Sequence, residues 1–130
     1  MPRLPVTRSF FHEVAESLRT PLYGFRGLAL VGLDGNVLEQ ATNDFSVGPE
    51  TLSEFATLLR IAQHTAEDTA AGPLLETSWT TEGILVLAHR VSAESFLILV
   101  CRPDERTGFA RYLLRRAAWR LRPQLHSASR

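Results

Sequence analysis

The stretch TLSEFATLLRIAQHTAEDTA, residues 51–70, carries more apolar surface than one helix of a small domain needs. When its residues are placed at 100° intervals, the apolar side chains form one broad stripe. That stripe comprises Leu52, Phe55, Ala56, Leu59, Ala62, Ala66 and Ala70. Leu58 and Ile61 fall outside it, on a flank shared with Thr65, and widen the apolar arc to roughly 220°, against ~100° for a one-sided surface helix. The pattern therefore predicts a helix that packs on the domain's own core and also on a second partner.

Length and composition are typical of one globular domain. The chain has 130 residues, of which 45% are hydrophobic, with 14 basic and 14 acidic residues. We predict a single domain over residues 7–122, a loose N-terminal arm over 1–6 and a frayed tail over 123–130. Cys101 ends the apolar run FLILVC, which predicts a buried, unreactive thiol in a reducing compartment. The apolar runs are too short for a signal peptide or a membrane span, so we predict a cytoplasmic location and no membrane partner.

Residue patterns predict the order helix, two strands, helix, three strands, helix. The expected elements are a helix from Thr7 or Ser9 to about Arg19, strands over 25–32 and 37–41, a helix over 51–70, strands over 74–80, 84–89 and 96–101, and a helix from Asp104 to about Leu121. Asp34-Gly35 predicts a tight hairpin turn with positive φ angles at both positions. Thr51 and Glu54 predict a capping box at the start of the second helix, and Pro123 predicts the end of the last.

The strands differ in how continuously apolar they are. Residues 84–89 and 96–101 are unbroken apolar runs, typical of strands covered on both faces, whereas 37–41 and 74–80 are mixed and predict edge strands. Short hairpin connections favour an antiparallel sheet, and buried central strands require helices on both faces. We therefore predict a three-layer α/β/α sandwich with a five-stranded, mostly antiparallel sheet in the order α-β-β-α-β-β-β-α.

Two segments carry a resemblance to a known family. They are the hairpin LALVGLDGNVL, residues 28–38, and the start of the last helix, RTGFARYLLRR, residues 106–116. Together with the order of elements, they resemble the roadblock / dynein light chain family, including its bacterial MglB-like members, over roughly residues 8–122. The resemblance implies a second helix on one face of the sheet, with the first and third helices on the other. It also implies a homodimer through the second helices and third strands, and binding to a small Ras-like GTPase as a scaffold or regulator.

Both the residue pattern and the resemblance indicate an interface on the second helix and the third strand. The predicted dimer-interface residues are Leu52, Phe55, Leu58, Leu59, Ile61, Ala62, Thr65, Ala66, Leu75, Thr77 and Trp79. Trp79 on a strand edge is a natural interface anchor, the alternative being that its ring faces inward. Arg60, His64 and Glu67, on the polar side of the helix, are the predicted partner-binding residues. A paralogue in place of the second copy would fit the same pattern.

The sequence contains no recognisable catalytic, cofactor or metal motif. The four histidines are scattered, neither phosphate-loop pattern occurs, and no serine lies in a nucleophile elbow. We therefore predict a non-catalytic interaction module without a cofactor. One alternative is a small-ligand sensor of PAS-like or longin-like type, which needs an apolar pocket with converging polar groups. Nucleic-acid binding through the Arg-rich last helix is a further alternative, which the balanced charge of the whole chain disfavours.

The last helix carries a second surface feature. Residues 103–130 hold seven arginines and two acidic residues, and Tyr112 and Trp119 lie seven residues apart on one flank of the helix. Near them lie Arg111, Arg115 and Arg122. Such a flank can hold an acidic partner or nucleic acid through charge and stacking. The simpler expectation is that both rings cover the rim of the sheet, with arginine stems packed over them.

Overall fold

The computed structural model describes residues 7–42 and 47–128, with side chains as far as residue 124. The predicted N-terminal arm, residues 1–6, lies outside the described residues. The elements follow in the predicted order as α1 (Arg8–Arg19), β1 (Phe25–Gly32), β2 (Val37–Thr42), α2 (Pro49–Asp68), β3 (Glu76–Thr80), β4 (Leu85–Ser92), β5 (Ser95–Cys101) and α3 (Thr107–Ala128). Thr7 caps α1, as predicted, because its side chain accepts the amide of Phe10.

The strands form one antiparallel sheet in the order β2-β1-β5-β4-β3. β5 lies at its centre and pairs with β1 and β4, so that Leu99 is opposite Leu28 on one side and Leu87 on the other. β2 and β3 are the edge strands, as their mixed composition predicts. The antiparallel sheet and the assignment of its edges are therefore confirmed.

Helices cover both faces of this sheet, with α1 and α3 on one face and α2 on the other. In β5, Leu97 and Leu99 belong to the core beneath α1 and α3, whereas Ile98 and Val100 belong to the core beneath α2. Successive residues of a strand point to opposite faces, so a strand between two helical layers must be apolar at every position. The predicted three-layer α/β/α sandwich is confirmed.

The β1–β2 turn differs from the predicted geometry. Gly35 has a φ of 97°, whereas Asp34 keeps a negative φ. The amide of Gly35 donates to the carbonyl of Gly32 at 3.0 Å, and Asp34 accepts the amide of Asn36 at 3.0 Å. The register between β1 and β2 shifts after Leu30. The hairpin is confirmed, but positive φ at both turn positions is wrong, because a bulge lets one glycine reverse the chain.

The start of α2 also differs from the prediction. Pro49 occupies the first turn as expected, and the helix begins there, after Gly48. Gly48 makes no side-chain capping bond. The predicted capping box is wrong because Thr51 already lies inside the helix, where its backbone is helical and cannot serve as the N-cap.

α3 begins later and ends later than predicted. Asp104 does not cap it, because the Asp104 carbonyl accepts the hydroxyl of Tyr23 in a turn and the helix starts at Thr107. The helix then passes through Pro123 to Ala128, so residues 123–128 of the predicted frayed tail are helical. A proline removes the hydrogen bond to the carbonyl four residues earlier. Pro123 and Trp119 both lie on the exposed side of α3, where water can replace that bond.

Candidate protein–protein interface

The inner side of α2 forms part of the protomer's own core. Leu52, Phe55 and Leu59 are 0%, 8% and 0% exposed and pack against the sheet. All three were predicted to lie in a dimer interface. The structure buries them between α2 and the sheet instead, because the apolar stripe of the helix covers the adjacent face of β1, β5 and β4. They therefore offer little surface of their own to a partner.

The flank of α2 remains exposed and apolar. Leu58 and Ile61 are 48% and 59% exposed, and Thr65 beside them is also exposed. Ala62 and Ala66 are partly exposed between this flank and the core. These residues account for the part of the wide apolar arc that the protomer's own sheet does not cover.

Two contacts show which way this flank faces. The rings of Phe55 and Trp79 meet edge to face, with centroids 5.4 Å apart, so the Phe55 side of α2 lies over β3. On the other side, Arg60 donates to the carbonyl of Leu33 at 3.0 Å, next to the β1–β2 turn. Leu58, a further 60° around the helix beyond Phe55 and away from Arg60, therefore belongs to the β3 side. The exposed flank and the edge of the sheet lie together.

β3 extends this apolar surface to the edge of the sheet. It pairs with β4, and its outer edge has no strand beside it among residues 7–42 and 47–128. Leu75, just before the strand, is 62% exposed, and Trp79 is half-buried against the core beneath α2. Thr77 alternates with Glu76 and so shares the α2 side with Trp79. We call this set the α2–β3 surface, made of Leu58, Ile61, Thr65, Leu75, Thr77 and Trp79.

Arg90, which the sequence interpretation missed, holds the two parts of this surface together. From β4 it donates to the carbonyl of Leu74 at 2.6 Å, to the carbonyl of Ala93 at 2.7 Å and to the side-chain oxygen of Gln63 in α2. Gln63 in turn accepts the amide of Leu74 at 3.1 Å. The guanidinium also lies 4.8 Å from the ring centroid of Phe96. A charged residue directly after the predicted strand over 84–89 was the only sequence signal for this role.

The predicted partner-binding residues lie on the opposite, polar side of α2. Arg60 is fixed to the β1–β2 turn, and His64 lies 3.4 Å from Asp68. Glu67 accepts the side-chain amide of Gln63 at 2.8 Å. Arg60, His64 and Glu67 are all exposed, and none belongs to the α2–β3 surface. A second copy on that surface would leave them accessible.

A second missed residue, Glu105, joins the start of β1 to the start of α3. Its side chain is fully buried and accepts the amide of Gly24 at 2.6 Å. It also accepts the amide of Arg106 at 3.0 Å and the guanidinium of that residue at 3.2 Å. The carboxylate therefore has partners for its charge and lone pairs, and its role is structural.

Burial shifts the pKa values of three titratable groups, Cys101, His89 and Arg90, and it lowers that of Arg90. Burial raises the pKa of the Cys101 thiol to about 12, and Glu105 acts in the same direction, which agrees with the predicted unreactive thiol. Burial lowers the pKa of His89 below its usual value, while Glu76 opposes the shift.

Within the described part of the chain, no group of three or more metal-ligating side chains occurs. No helix of that part is long and apolar enough to span a bilayer.

A groove of about 380 Å³ lies on the other side of β3, between β3, β4 and α3. Glu76 lines it and pairs with Arg115 at 2.9 Å and with Arg111 at 3.6 Å. The acid and the cations thus already pair with one another. A ligand sensor needs polar groups that converge on an apolar pocket, so this groove does not favour the sensor alternative.

Tyr112 and Trp119 do not cover the rim of the sheet. Their side chains are 54% and 69% exposed, so the simpler expectation for them is wrong. Arginine was expected to pack over both rings. It does so over Tyr112, where Arg116 lies 5.8 Å from the ring centroid. The rings point outward because Leu113, Leu114 and Ala117 take the inner side of α3.

The same architecture occurs in several solved structures. A Roadblock/LC7 domain from Streptomyces avermitilis matches with a TM-score of 0.76 at 12% identity, over 85% of this chain and 93% of that chain. MglC from Myxococcus xanthus matches with a TM-score of 0.68 at 26% identity, over 88% of this chain and 98% of that chain. An MglB with a tetrameric arrangement matches with a TM-score of 0.78 at 21% identity, over 98% of each chain. The chain has the roadblock fold.

The roadblock resemblance predicted from two short segments is thereby confirmed. No family model matches the sequence, and no curated protein sequence matches it. The likeness lies in the three-dimensional structure, since sequence identity to these three proteins is 12–26%. The fold does not itself assign a function, so the function has to be argued from the site.

Proposed function

We propose that this roadblock module is a non-catalytic homodimer that docks and regulates a small Ras-like GTPase in the cytoplasm. The exposed apolar flank of α2 beside the free edge of β3 is the observation that carries the proposal. Ile61 and Leu75 are both about 60% exposed there, and Trp79 on β3 is half-buried against the ring of Phe55. Large apolar side chains clustered at a strand edge are typical of an interface and are a liability in a monomer.

Two-fold pairing is the simplest way to cover the α2–β3 surface. In an isologous dimer the same patch of both copies forms the interface, so each apolar residue of the patch is buried in both copies. Pairing of two β3 edges would also satisfy the backbone groups that the edge leaves open. The dimer would then present two α2 helices side by side, with Arg60, His64 and Glu67 of each copy facing outward. That outward side is where we propose that the GTPase docks.

Light scattering after size exclusion tests the dimer directly. A dimer at micromolar concentration is expected, and a monomer at every accessible concentration would contradict the proposal. The GTPase step is tested separately, by titrating purified Ras-like GTPases from the same genome, loaded with GDP or a GTP analogue, against the labelled dimer. Hydrolysis and nucleotide-release assays on the same pairs then separate regulation from docking.

A charge reversal in the proposed docking side provides the site-specific test. Glu67→Arg is expected to weaken GTPase binding at least about tenfold, because it reverses a charge at the contact. Glu82→Arg is the matched control, because Glu82 is also exposed but lies in the turn between β3 and β4. Equal loss of binding in both variants would contradict docking on α2.

A further inference from the structure

The outward side of α3 carries an aromatic and basic groove that is separate from the α2–β3 surface. Tyr112, Arg115, Arg116 and Trp119 line a shallow groove of about 260 Å³. Trp119 is 69% exposed, more than any other large hydrophobic side chain in the described part of the chain. An exposed tryptophan beside an exposed tyrosine is unusual on a monomer surface and marks a binding site for an apolar group.

The spacing of the groove residues suits a helical partner. Tyr112 and Trp119 are seven residues apart, which is two helical turns and about 10 Å along α3. Arg115 and Arg116 lie between them, three and four residues after Tyr112, and so project from the same side. The two rings form the walls of a gap that an apolar side chain of a second helix can enter, as in ridge-into-groove packing.

The charge around the groove is positive and only partly compensated. From residue 107 to residue 124, α3 contains five arginines and no acidic residue. Glu76 pairs with Arg115 at 2.9 Å, and Glu13 lies 3.7 Å from Arg120. Among the residues that the structure describes, Arg116 has no acidic group within 4 Å and contacts the ring of Tyr112 instead. The groove thus has an available cation beside its apolar gap.

We propose that this α3 groove binds an acidic amphipathic helix of a partner protein. An apolar side chain of that helix would lie between Tyr112 and Trp119, and a carboxylate one turn away would pair with Arg116. Tryptophan, tyrosine and arginine are the residue types that contribute most binding energy at protein interfaces. A carboxylate is favoured because it complements a cation that lacks an acidic partner.

Other occupants fit this groove less well. Nucleic acid binds through many phosphate contacts at once, whereas Glu76 and Glu13 flank the arginines on either side and the whole chain has a formal net charge of zero. The chain's own first six residues, MPRLPV, contain an arginine and no acidic residue, so their charge opposes binding here. A partner protein with an acidic helix is therefore the occupant that the chemistry favours.

The α3 groove and the α2–β3 surface lie on opposite faces of the sheet. Binding to one does not require the other, so the two proposals can fail separately. A dimer formed through α2 would carry two α3 grooves pointing away from the shared interface.

A designed peptide provides the probe. It is a fluorescein-labelled helix with leucine at positions i, i+3 and i+7 and glutamate on either side of this stripe, and its binding to the full chain is followed by fluorescence anisotropy. Trp119→Ala and Arg116→Glu are each expected to weaken binding at least about tenfold. Arg8→Glu is the matched control, because Arg8 is exposed on α1 and does not line the groove, and it is expected to leave affinity within about twofold.

Further measurements make the test decisive. Circular dichroism and size exclusion of each variant establish that it is folded and has the wild-type oligomeric state. Absence of saturable peptide binding, or equal binding by Trp119→Ala and wild type, overturns the proposal. Tighter binding of a single-stranded DNA of the same charge, with the same dependence on Trp119, overturns it in favour of nucleic acid. A smaller oligomer in Trp119→Ala overturns it in favour of a second copy of this chain.

Discussion

Replacing Ile61 by glutamine is expected to weaken dimerisation strongly while leaving the fold intact. Ile61 is 59% exposed on α2, and glutamine has similar length and a good helix propensity. Because Ile61 makes limited contact with the core, the free energy of unfolding of the protomer should change by no more than ~0.5 kcal/mol. The dimer, in contrast, would lose the burial of this side chain at both copies.

The expected loss follows from the exposed area. Burying a whole isoleucine side chain stabilises by about 1.5–3 kcal/mol, so burying the exposed part of Ile61 contributes ~1–2 kcal/mol. A two-fold dimer buries Ile61 once in each copy, so the expected loss of dimerisation free energy is ~2–4 kcal/mol per dimer. At about 1.4 kcal/mol for each factor of ten, the dissociation constant should rise between about 30-fold and 1000-fold.

Sedimentation velocity over a concentration series measures that dissociation constant. Leu38→Gln is the matched control, because Leu38 is 45% exposed but lies on β2, at the opposite edge of the sheet. Its dimer should dissociate as the wild type does. A wild-type dissociation constant in Ile61→Gln, or an equal loss in Leu38→Gln, would refute the assignment of the interface to α2 and β3.

Three further predictions concern stability. Arg90→Met should lower the free energy of unfolding in urea by ~1–2 kcal/mol, because it leaves the partly buried carbonyl of Leu74 and the side-chain oxygen of Gln63 without this donor, and an unchanged midpoint would contradict this role. Glu105→Gln should destabilise the protein by ~1–2 kcal/mol, and Glu105→Ala by more, because the amide of Gly24 loses a charged acceptor. Wild-type stability of both variants would show that this hydrogen bond contributes little. The pKa of His89 is lowered by burial in the folded state, so the unfolded chain binds the proton more tightly and stability should fall as pH drops below about 6.5. His89→Gln should flatten the pH dependence of the urea midpoint in that range, and a slope identical to the wild type would assign it to other groups.

The sequence determined the elements, their order and the layering. Leu97 to Cys101 are apolar at every position, which is typical of a strand covered on both faces, and together with the order of helices and strands this pattern predicted the sandwich. Gly35 marked the hairpin, and the mixed strands marked the edges. These features depend on periodicity and on turn residues, and both can be read from short stretches of neighbouring residues.

The tertiary structure decided which apolar residues belong to the core and which remain exposed. Periodicity assigns Leu59 and Ile61 to the apolar arc of one helix, but only the position of the sheet buries the first and exposes the second. Arg90 and Gln63 are 27 residues apart, and nothing in either segment indicates their contact. Trp119 faces solvent because Leu114, Ala117 and Leu121 already fill the space against the sheet. Such outcomes depend on three-dimensional packing between distant segments, which local sequence pattern does not encode.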